Sequence, residues 1–299
     1  MQILLLGGTG FLGKYLLRLL NDGEDKIFCL YRTKKEFFSN FENIHFINLH
    51  EFINTTGIKK IDYFINLCCS YKNSSIESIF LSNLFLPLHI VFKLDSDYLK
   101  KIITIGSGLP ITYNTYTYSK YCLKSILLNY VSCTNKRIQL LNLNPEYFYG
   151  LDEPQNRFLS TVLTKLCSNE QLNLSEGKQI RDFIYVEDLA SIIYKIIKIK
   201  SRIEYVDIPI GTGYGISIRN LVCSLKDCLG SNSVLNFGAL ETTNEPNSVA
   251  NTTILNDLNI MPKYSIKSGL DLLINNHLNN QENRVSIDLD NKLVNFRDL

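Results

Sequence analysis

Short continuous apolar runs alternate along this chain with stretches in which apolar residues recur three and four positions apart. Residues 3–6 form the first run and end in a glycine turn; Leu12, Leu16, Leu19 and Leu20 then mark one face of a helix, which Gly23 is placed to stop. Further buried strands are expected at 27–31, 44–47, 63–67, 102–105 and 138–143, with helical or loop connections between them. A parallel sheet covered on both faces requires this arrangement, so the pattern predicts a doubly wound α/β fold. After Pro145 it loosens. A helix is expected over 159–166, a strand over "QIRDFIYV" (179–186), and a second amphipathic helix with Leu189, Ile192, Ile193, Ile196 and Ile197 on one face and Asp188 near its start. From about residue 201 short strands mix with a helix near 218–229, and the Asn-rich "NNHLNNQENR" (275–284) reads as a solvated tail. The expected organisation is a doubly wound sheet domain over 1–144, completed by about 180–205, and a smaller α/β lobe over 145–179 and 206–299.

Composition narrows the function. A chain of 299 residues, 45% hydrophobic, can bury a large core. The formal charge is only +2 and the basic residues are scattered, which excludes the cationic face that tracks a nucleic-acid backbone. The apolar stretches read as too short and interrupted to span a bilayer, and "MQILLLGGTG" reads as a first strand rather than a leader. The eight cysteines form no CxxC pair and no His-linked zinc pattern. They read as reduced core residues of a cytoplasmic protein with no metal site.

Candidate chemistry begins at the glycine turn. Gly7, Thr9, Gly10, Phe11, Leu12 and Gly13 belong to a G-x-x-G-x-x-G run between a strand and a helix, where glycines allow close approach of a pyrophosphate to helix N-terminal amides. About 20 residues on, an acidic residue would hold the ribose hydroxyls of NAD. This chain has "CLYRTKK" there, with Arg32 at the strand end and Lys34 and Lys35 after it, which favours the 2′-phosphate of NADP(H) over NAD(H). In "TYNTYTYSKY", residues 112–121, Tyr116 lies four positions before Lys120, so on a helix the two share a face. An ammonium beside a phenol stabilises the phenolate and makes Tyr116 the candidate acid/base group.

Gly7-x-x-Gly10-x-x-Gly13 together with Tyr116-x-x-Ser119-Lys120 resembles the extended short-chain dehydrogenase/reductase family of nucleotide-sugar epimerases, dehydratases and reductases. "NPEYFYG" (144–150), "GKQIRDFIYVEDLA" (177–190), "IGTGYGISI" (210–218) and "MPKYSIKSGL" (261–270) are similar to further motifs of that family, and the C-terminal half, including "FGALETTNEPNSVAN", is most similar to 4-keto sugar reductases of the CDP-abequose synthase type. The resemblance implies a Rossmann fold and a catalytic set of Ser107, Tyr116 and Lys120. It also implies cofactor contacts from Leu67, Cys68, Asn83 and Pro145 besides the glycine turn, Arg32, Tyr116 and Lys120. Substrate contacts would come from Ser70, Ser107, Tyr147 and Arg181, the last on a diphosphate, and a homodimer would form through the helices near Asn83 and Tyr116. The chain departs from the family pattern at Asn66, where the family has a histidine, at Cys68 and Cys69, where it has alanines, at Asn144 for an arginine and at Asn48 for an adenine-side aspartate, and in the short spacing of Ser107 and Tyr116.

The residues after Ser107 bear on the reaction. A 4,6-dehydratase needs an adjacent aspartate and glutamate, and here stand Gly108 and Leu109. A 4-epimerase keeps NAD bound, so a cationic 2′-phosphate site would serve it no purpose. The expected activity is NADPH-dependent reduction of the C4 ketone of a nucleotide-linked 4-keto-6-deoxy or 3,6-dideoxy hexose, giving a sugar for a surface polysaccharide. A 4-epimerase is the alternative, and a non-catalytic NAD(P)-binding scaffold or sensor is the alternative from another class.

Overall fold

The computed structural model describes residues 1–34, 39, 41–55, 58–71, 75–134, 136–200, 203–241 and 246–282. Lys35, residues 242–245 of the "FGALETTNEPNSVAN" segment, and Asn283 and Arg284 lie outside them. Two compact units divide the chain. The first comprises Met1–Pro145, Leu189–Ile210 and Thr253–Ile260, and the second Glu146–Asp188, Gly211–Thr252 and Met261 onward.

The first unit begins with β1 (Gln2–Leu6), α1 (Phe11–Asn21), β2 (Lys26–Tyr31), β3 (Ile44–Asn48), the short α2 (Leu49–Asn54) and β4 (Tyr63–Asn66). A long helical segment follows as α3 (Ile76–Phe80), a π-helical turn at Leu81–Phe85, and α4 (Leu86–Lys93). Next come β5 (Lys101–Ile105), α5 (Thr115–Cys133) and β6 (Gln139–Pro145); α7 (Val186–Lys198), for most of its length, β10 (Tyr205–Ile210) and α9 (Thr253–Asp257) complete the unit. Seven parallel strands lie in the order β10-β6-β5-β4-β1-β2-β3. This is the predicted doubly wound sheet, with its topological switch between β1 and β4, and ligands of such sheets bind outside the carboxyl ends of the strands at that point.

Both faces of the sheet are covered. Leu4, Leu6, Phe28, Leu30, Phe64, Ile102 and Leu140 share a buried cluster with Leu84, Leu88 and Val91 of the long helical segment and Leu123 and Leu127 of α5. The alternate residues Ile3, Leu5, Ile27, Cys29, Ile65, Ile103 and Leu141 point to the other face and are equally buried, which is why these strands are continuously apolar. The predicted stop after α1 is present, with Gly23 N donating to Leu20 O.

Residues 76–93 depart from expectation: they make one continuous helix long and apolar enough, by length and composition, to cross a membrane. Ile79, Leu84, Leu88, Ile90 and Val91 on it are buried in the unit's core, as on a helix of a globular layer. The cysteines also differ from the core residues expected. All eight are free thiols, but only Cys29 is buried, and Cys69 and Cys133 are exposed.

The second unit holds β7 (Tyr147–Tyr149), α6 (Phe158–Cys167), β8 (Leu172–Leu174), β9 (Ile180–Tyr185), β11 (Gly215–Ser217), α8 (Ile218–Leu229), β12 (Leu235–Phe237) and α10 (Ile266–Glu282). β9 pairs with β11 and β7, β8 pairs with β12, and Leu159, Val162, Phe183, Leu221, Leu225 and Leu270 form its core. The Asn-rich stretch read as a tail is helical to Glu282, because Leu270, Leu273 and Ile274 anchor α10 in this core.

Lys101, at the start of β5, is buried beneath the sheet's amino end. Its ammonium donates to Ile197 O at 3.1 Å and Ile199 O at 2.8 Å, closing the C-terminal end of α7. Burial lowers it from the ordinary lysine value of 10.5 to about 8. Between those two pH values the unfolded chain binds more protons than the folded one, so stability rises with pH there and is flat below about 8. Urea unfolding compared between wild type and Lys101→Met should therefore show the difference shifting in favour of wild type from pH 8 to 10, by at most about 1.4 kcal/mol per pH unit.

Candidate functional site

The glycine turn rests against the end of β4. Gly7 has φ +85°, and a Cβ there would stand 2.7 Å from Cys68 N, so the turn needs glycine for conformation and for space. A Cβ on Gly13 would lie 2.4 Å from the carbonyl oxygens of Gly7 and Gly8, which keeps α1 tight against the turn. Gly10 caps α1 without a side chain and is exposed, leaving the backbone open to an anion. Gly8 serves packing instead, since a Cβ there would meet Cys29 Sγ at 2.6 Å. This cradle fits a dinucleotide pyrophosphate.

Arg32 follows β2 directly and is exposed. Asn48, paired with Tyr31 across β2 and β3, caps α2 by accepting from His50 N at 2.9 Å. The asparagine that departs from the family's aspartate thus has a local structural task. Burial raises the Cys68 thiol above its ordinary value against the pull of Lys120 and Arg32, so both cations act at the end of β4.

That strand end is held from several sides. Leu67 N donates to Leu6 O at 2.8 Å, and Cys68 N to the buried Asn66 Oδ1 at 3.0 Å. Asn83, fully buried in the π-helical turn, receives Ser70 N at 2.7 Å and returns Nδ2 to Ser70 O at 2.8 Å and to Ser119 Oγ at 3.0 Å. The Ser119 hydroxyl donates to Tyr116 O at 2.7 Å. A chain of hydrogen bonds therefore runs from the Ser70 loop to the first turn of α5.

The position of Tyr116 follows from local chemistry. Asn114 caps α5, with Thr117 N donating to Asn114 Oδ1 at 2.9 Å and Asn114 N to Thr117 Oγ1 at 3.2 Å. This capping box starts the helix at Thr115 and puts Tyr116 in its first turn, half-buried, with its ring 5.5 Å from that of Tyr71. Lys120 is buried, its ammonium 5.8 Å from the centre of the Tyr116 ring and 2.8 Å from Cys68 O. The structure thus brings Tyr116, Lys120, Cys68, Ser70 and Asn83 together.

Ser107 follows β5. Gly106 N donates to Leu143 O at 2.7 Å and Gly108 N to Pro145 O at 3.2 Å, so the Ser107 backbone continues the pairing with β6 beyond the strand. Ser107 Oγ accepts from Leu109 N at 3.1 Å, which leaves its O–H to donate to a substrate oxygen.

Tyr147 and Arg181 belong to the second unit. The Tyr147 ring packs on Phe183 at 4.9 Å, with the Arg157 guanidinium 5.1 Å from its centre. Arg181 is buried and donates Nη1 to Ile180 O at 3.0 Å and to Pro246 O. Asp182 accepts instead from Thr212 N, Thr212 Oγ1 and Gly213 N, pinning the loop after β10. Sequence reasoning missed Glu146, a buried carboxyl raised by burial against a hydrogen bond from Ser248. It also missed a polar group of Asn142, Asn144 and Asp207; the polar interruptions of "LLNLNP" and "YVDIPI" were its only signal.

Residues 3–211 match the sequence model of the NAD dependent epimerase/dehydratase family. A CDP-abequose synthase of Salmonella typhimurium is 25% identical over 296 residues, covering 91% of this chain and 97% of the relative. A GDP-6-deoxy-D-talose 4-dehydrogenase of Aggregatibacter actinomycetemcomitans is 24% identical over 252 residues, covering 76% and 80%. Among solved structures, MoeE5 in complex with UDP-glucuronic acid and NAD superposes with TM-score 0.82 at 15% identity, over 94% of this chain and 100% of that one. UDP-glucose 4-epimerase from Thermotoga maritima superposes with TM-score 0.79 at 18% identity, over 94% and 99%. With that match across most of the chain, and with the glycine turn, switch point and Tyr116–Lys120 pair lying inside it, the protein belongs to the NAD-dependent epimerase/dehydratase family.

Proposed function

We propose that this nucleotide-sugar enzyme reduces the C4 ketone of a nucleotide-linked 4-keto-6-deoxy or 3,6-dideoxy hexose and uses NADPH to do so, for synthesis of a surface polysaccharide sugar. The observation that carries the reading is the Lys120 ammonium, held between Cys68 O and the Tyr116 ring at the sheet's switch point, with the exposed Arg32 at the same strand ends and no acid beside Ser107. The curated relatives include CDP-abequose synthases, which supports the sugar class.

The hydride for C4 would come from NADPH when it is bound. Tyr116 passes its phenolic proton to the carbonyl oxygen, which becomes the C4 hydroxyl, and the Ser107 hydroxyl hydrogen-bonds that oxygen as charge develops. Lys120 stabilises the phenolate left behind, and Lys120, Leu67, Cys68 and Pro145 would hold the nicotinamide end of the cofactor. Arg32 holds the 2′-phosphate, and Ser70, Tyr147 and Arg181 contact the nucleotide sugar, Arg181 at its diphosphate.

The unit is proposed to pair with a second copy through the long helical segment and α5. Leu81, Phe85 and Phe92 are each more than half exposed and lie beside the exposed Tyr118, Tyr121 and Ile126 of α5. The ring pairs Phe80–Tyr118 and Phe92–Tyr130 join the two helices along this apolar face.

Three outcomes are expected. Purified protein should oxidise NADPH with one member of a panel of nucleotide-linked 4-keto sugars, and Tyr116→Phe should lose roughly a hundredfold or more in kcat, measured by absorbance. No oxidation with any member would reject the reductase and direct the next assay to 4-epimerisation. Arg32→Ala should weaken NADPH binding by about tenfold to a hundredfold and leave NADH nearly unchanged; equal losses for both cofactors would remove the 2′-phosphate assignment. In light scattering the wild type should be a dimer and Phe85→Glu a monomer, and a monomeric wild type would reject the interface.

A further inference from the structure

A carboxylate outside the proposed catalytic set joins the elements that carry it. Asp207 of β10 is in register with Asn142 of β6, which stands beside Thr104 of β5 and, one strand further, Asn66 of β4. Asn66, Thr104 and Asn142 follow Phe64, Ile102 and Leu140 by two residues and so share their face, which packs in one cluster with Leu123 and Leu127 of α5; they make a polar row beneath the helix that bears Tyr116 and Lys120. Asp207 Oδ1 accepts from Asn142 Nδ2 at 2.6 Å and Asn144 Nδ2 at 3.2 Å. Oδ2 accepts from Lys124 Nζ at 3.2 Å and from the Tyr205 hydroxyl. Burial pushes this carboxyl up, but the bonds from Tyr205, Asn142, Asn144 and Lys124 outweigh it and hold the group below the ordinary carboxylate value.

Each partner leads towards the site. Lys124 lies about one helical turn beyond Lys120 and two beyond Tyr116 on α5. The carboxamides of Asn142 and Asn144 occupy the space over Gly106, where a Cβ would lie 2.1 Å from Asn144 Oδ1, and Gly106 immediately precedes Ser107. One carboxylate therefore grips the helix of Tyr116 and Lys120 on one side and the backbone before Ser107 on the other. A short link joins Ser107 to the start of α5, whereas the next part of that helix is set by noncovalent contact.

We propose that Asp207 is a positioning residue that holds α5 in register with the Ser107 strand end, so that Tyr116 and Lys120 meet the reacting oxygen together with Ser107. The proposal rests on the roles given above to those three residues and extends them to a group that touches no substrate.

The test follows the Tyr116 phenol by NMR of protein carrying 13Cζ-labelled tyrosine, with the resonance assigned through Tyr116→Phe and titrated in wild type, Asp207→Asn and Lys124→Met. Lys120 on the same helix and Tyr71 across from it face the phenol in all three. One substitution removes an anion and the other a cation, so charge acting through space alone would move the Tyr116 midpoint down in Asp207→Asn and up in Lys124→Met. Lost register moves it up in both, by about half a pH unit or more, as Lys120 ceases to sit over the ring. Any result other than an upward shift in both overturns the proposal. Asn144→Ala, which changes no charge, should shift the midpoint the same way and stands in if Asp207→Asn does not fold. With an active sugar substrate, kcat should fall roughly tenfold in each variant while KM for NADPH stays within about twofold. A wild type that turns over no sugar would reject the reductase reading, and the phenol titration would still decide the role of Asp207.

Discussion

The hydrogen bond from the Lys120 ammonium to the Cys68 carbonyl joins the two parts on which the site depends. On one side of Cys68 lies Gly7, so close that a single added carbon would collide with the Cys68 backbone. On the other lies the buried Lys120, which carries α5 and Tyr116 with it. The glycine turn and the proposed acid are therefore referenced to the same peptide, at the sheet's switch point. A buried ammonium needs such a partner, because leaving it unpaired would cost several kcal/mol.

The π-helical turn at Leu81–Phe85 serves the same peptide from behind. Pro87 has no N–H to offer the Asn83 carbonyl, and its ring would press on that carbonyl in a regular α-helix. The chain widens instead, with Leu86 N donating to Leu81 O. Asn83 sits in the widened turn and uses its amide on both backbone groups of Ser70 and on Ser119. A local backbone irregularity thus positions a buried polar side chain in a strand-end network, and every polar atom of that carboxamide finds a partner.

The chain's departures from the family pattern sort by the same logic. Asn66 replaces the family's histidine and still fixes the strand end, through Cys68 N. Asn48 gives up an adenine-side carboxylate and caps α2. Asn144, where the family has arginine, joins Asp207 in a compact hydrogen-bonded group that fills the space left by Gly106. None of these residues is an orphan in the fold.

By itself the sequence determined the parallel sheet, the glycine turn and the pairing of Tyr116 with Lys120, because each depends on short-range periodicity or on spacing along one element. The Asn114–Thr117 capping signature was also present in it and would have placed Tyr116 in the first turn. Only the tertiary structure decided that residues 76–93 run as one helix through Pro87, that Lys120 reaches Cys68, and that Asn142, Asn144, Lys124 and Asp207 converge. Those contacts join residues far apart in the chain, and a polar residue within an apolar strand gives no sign of its partner until strand order and register bring the two side by side.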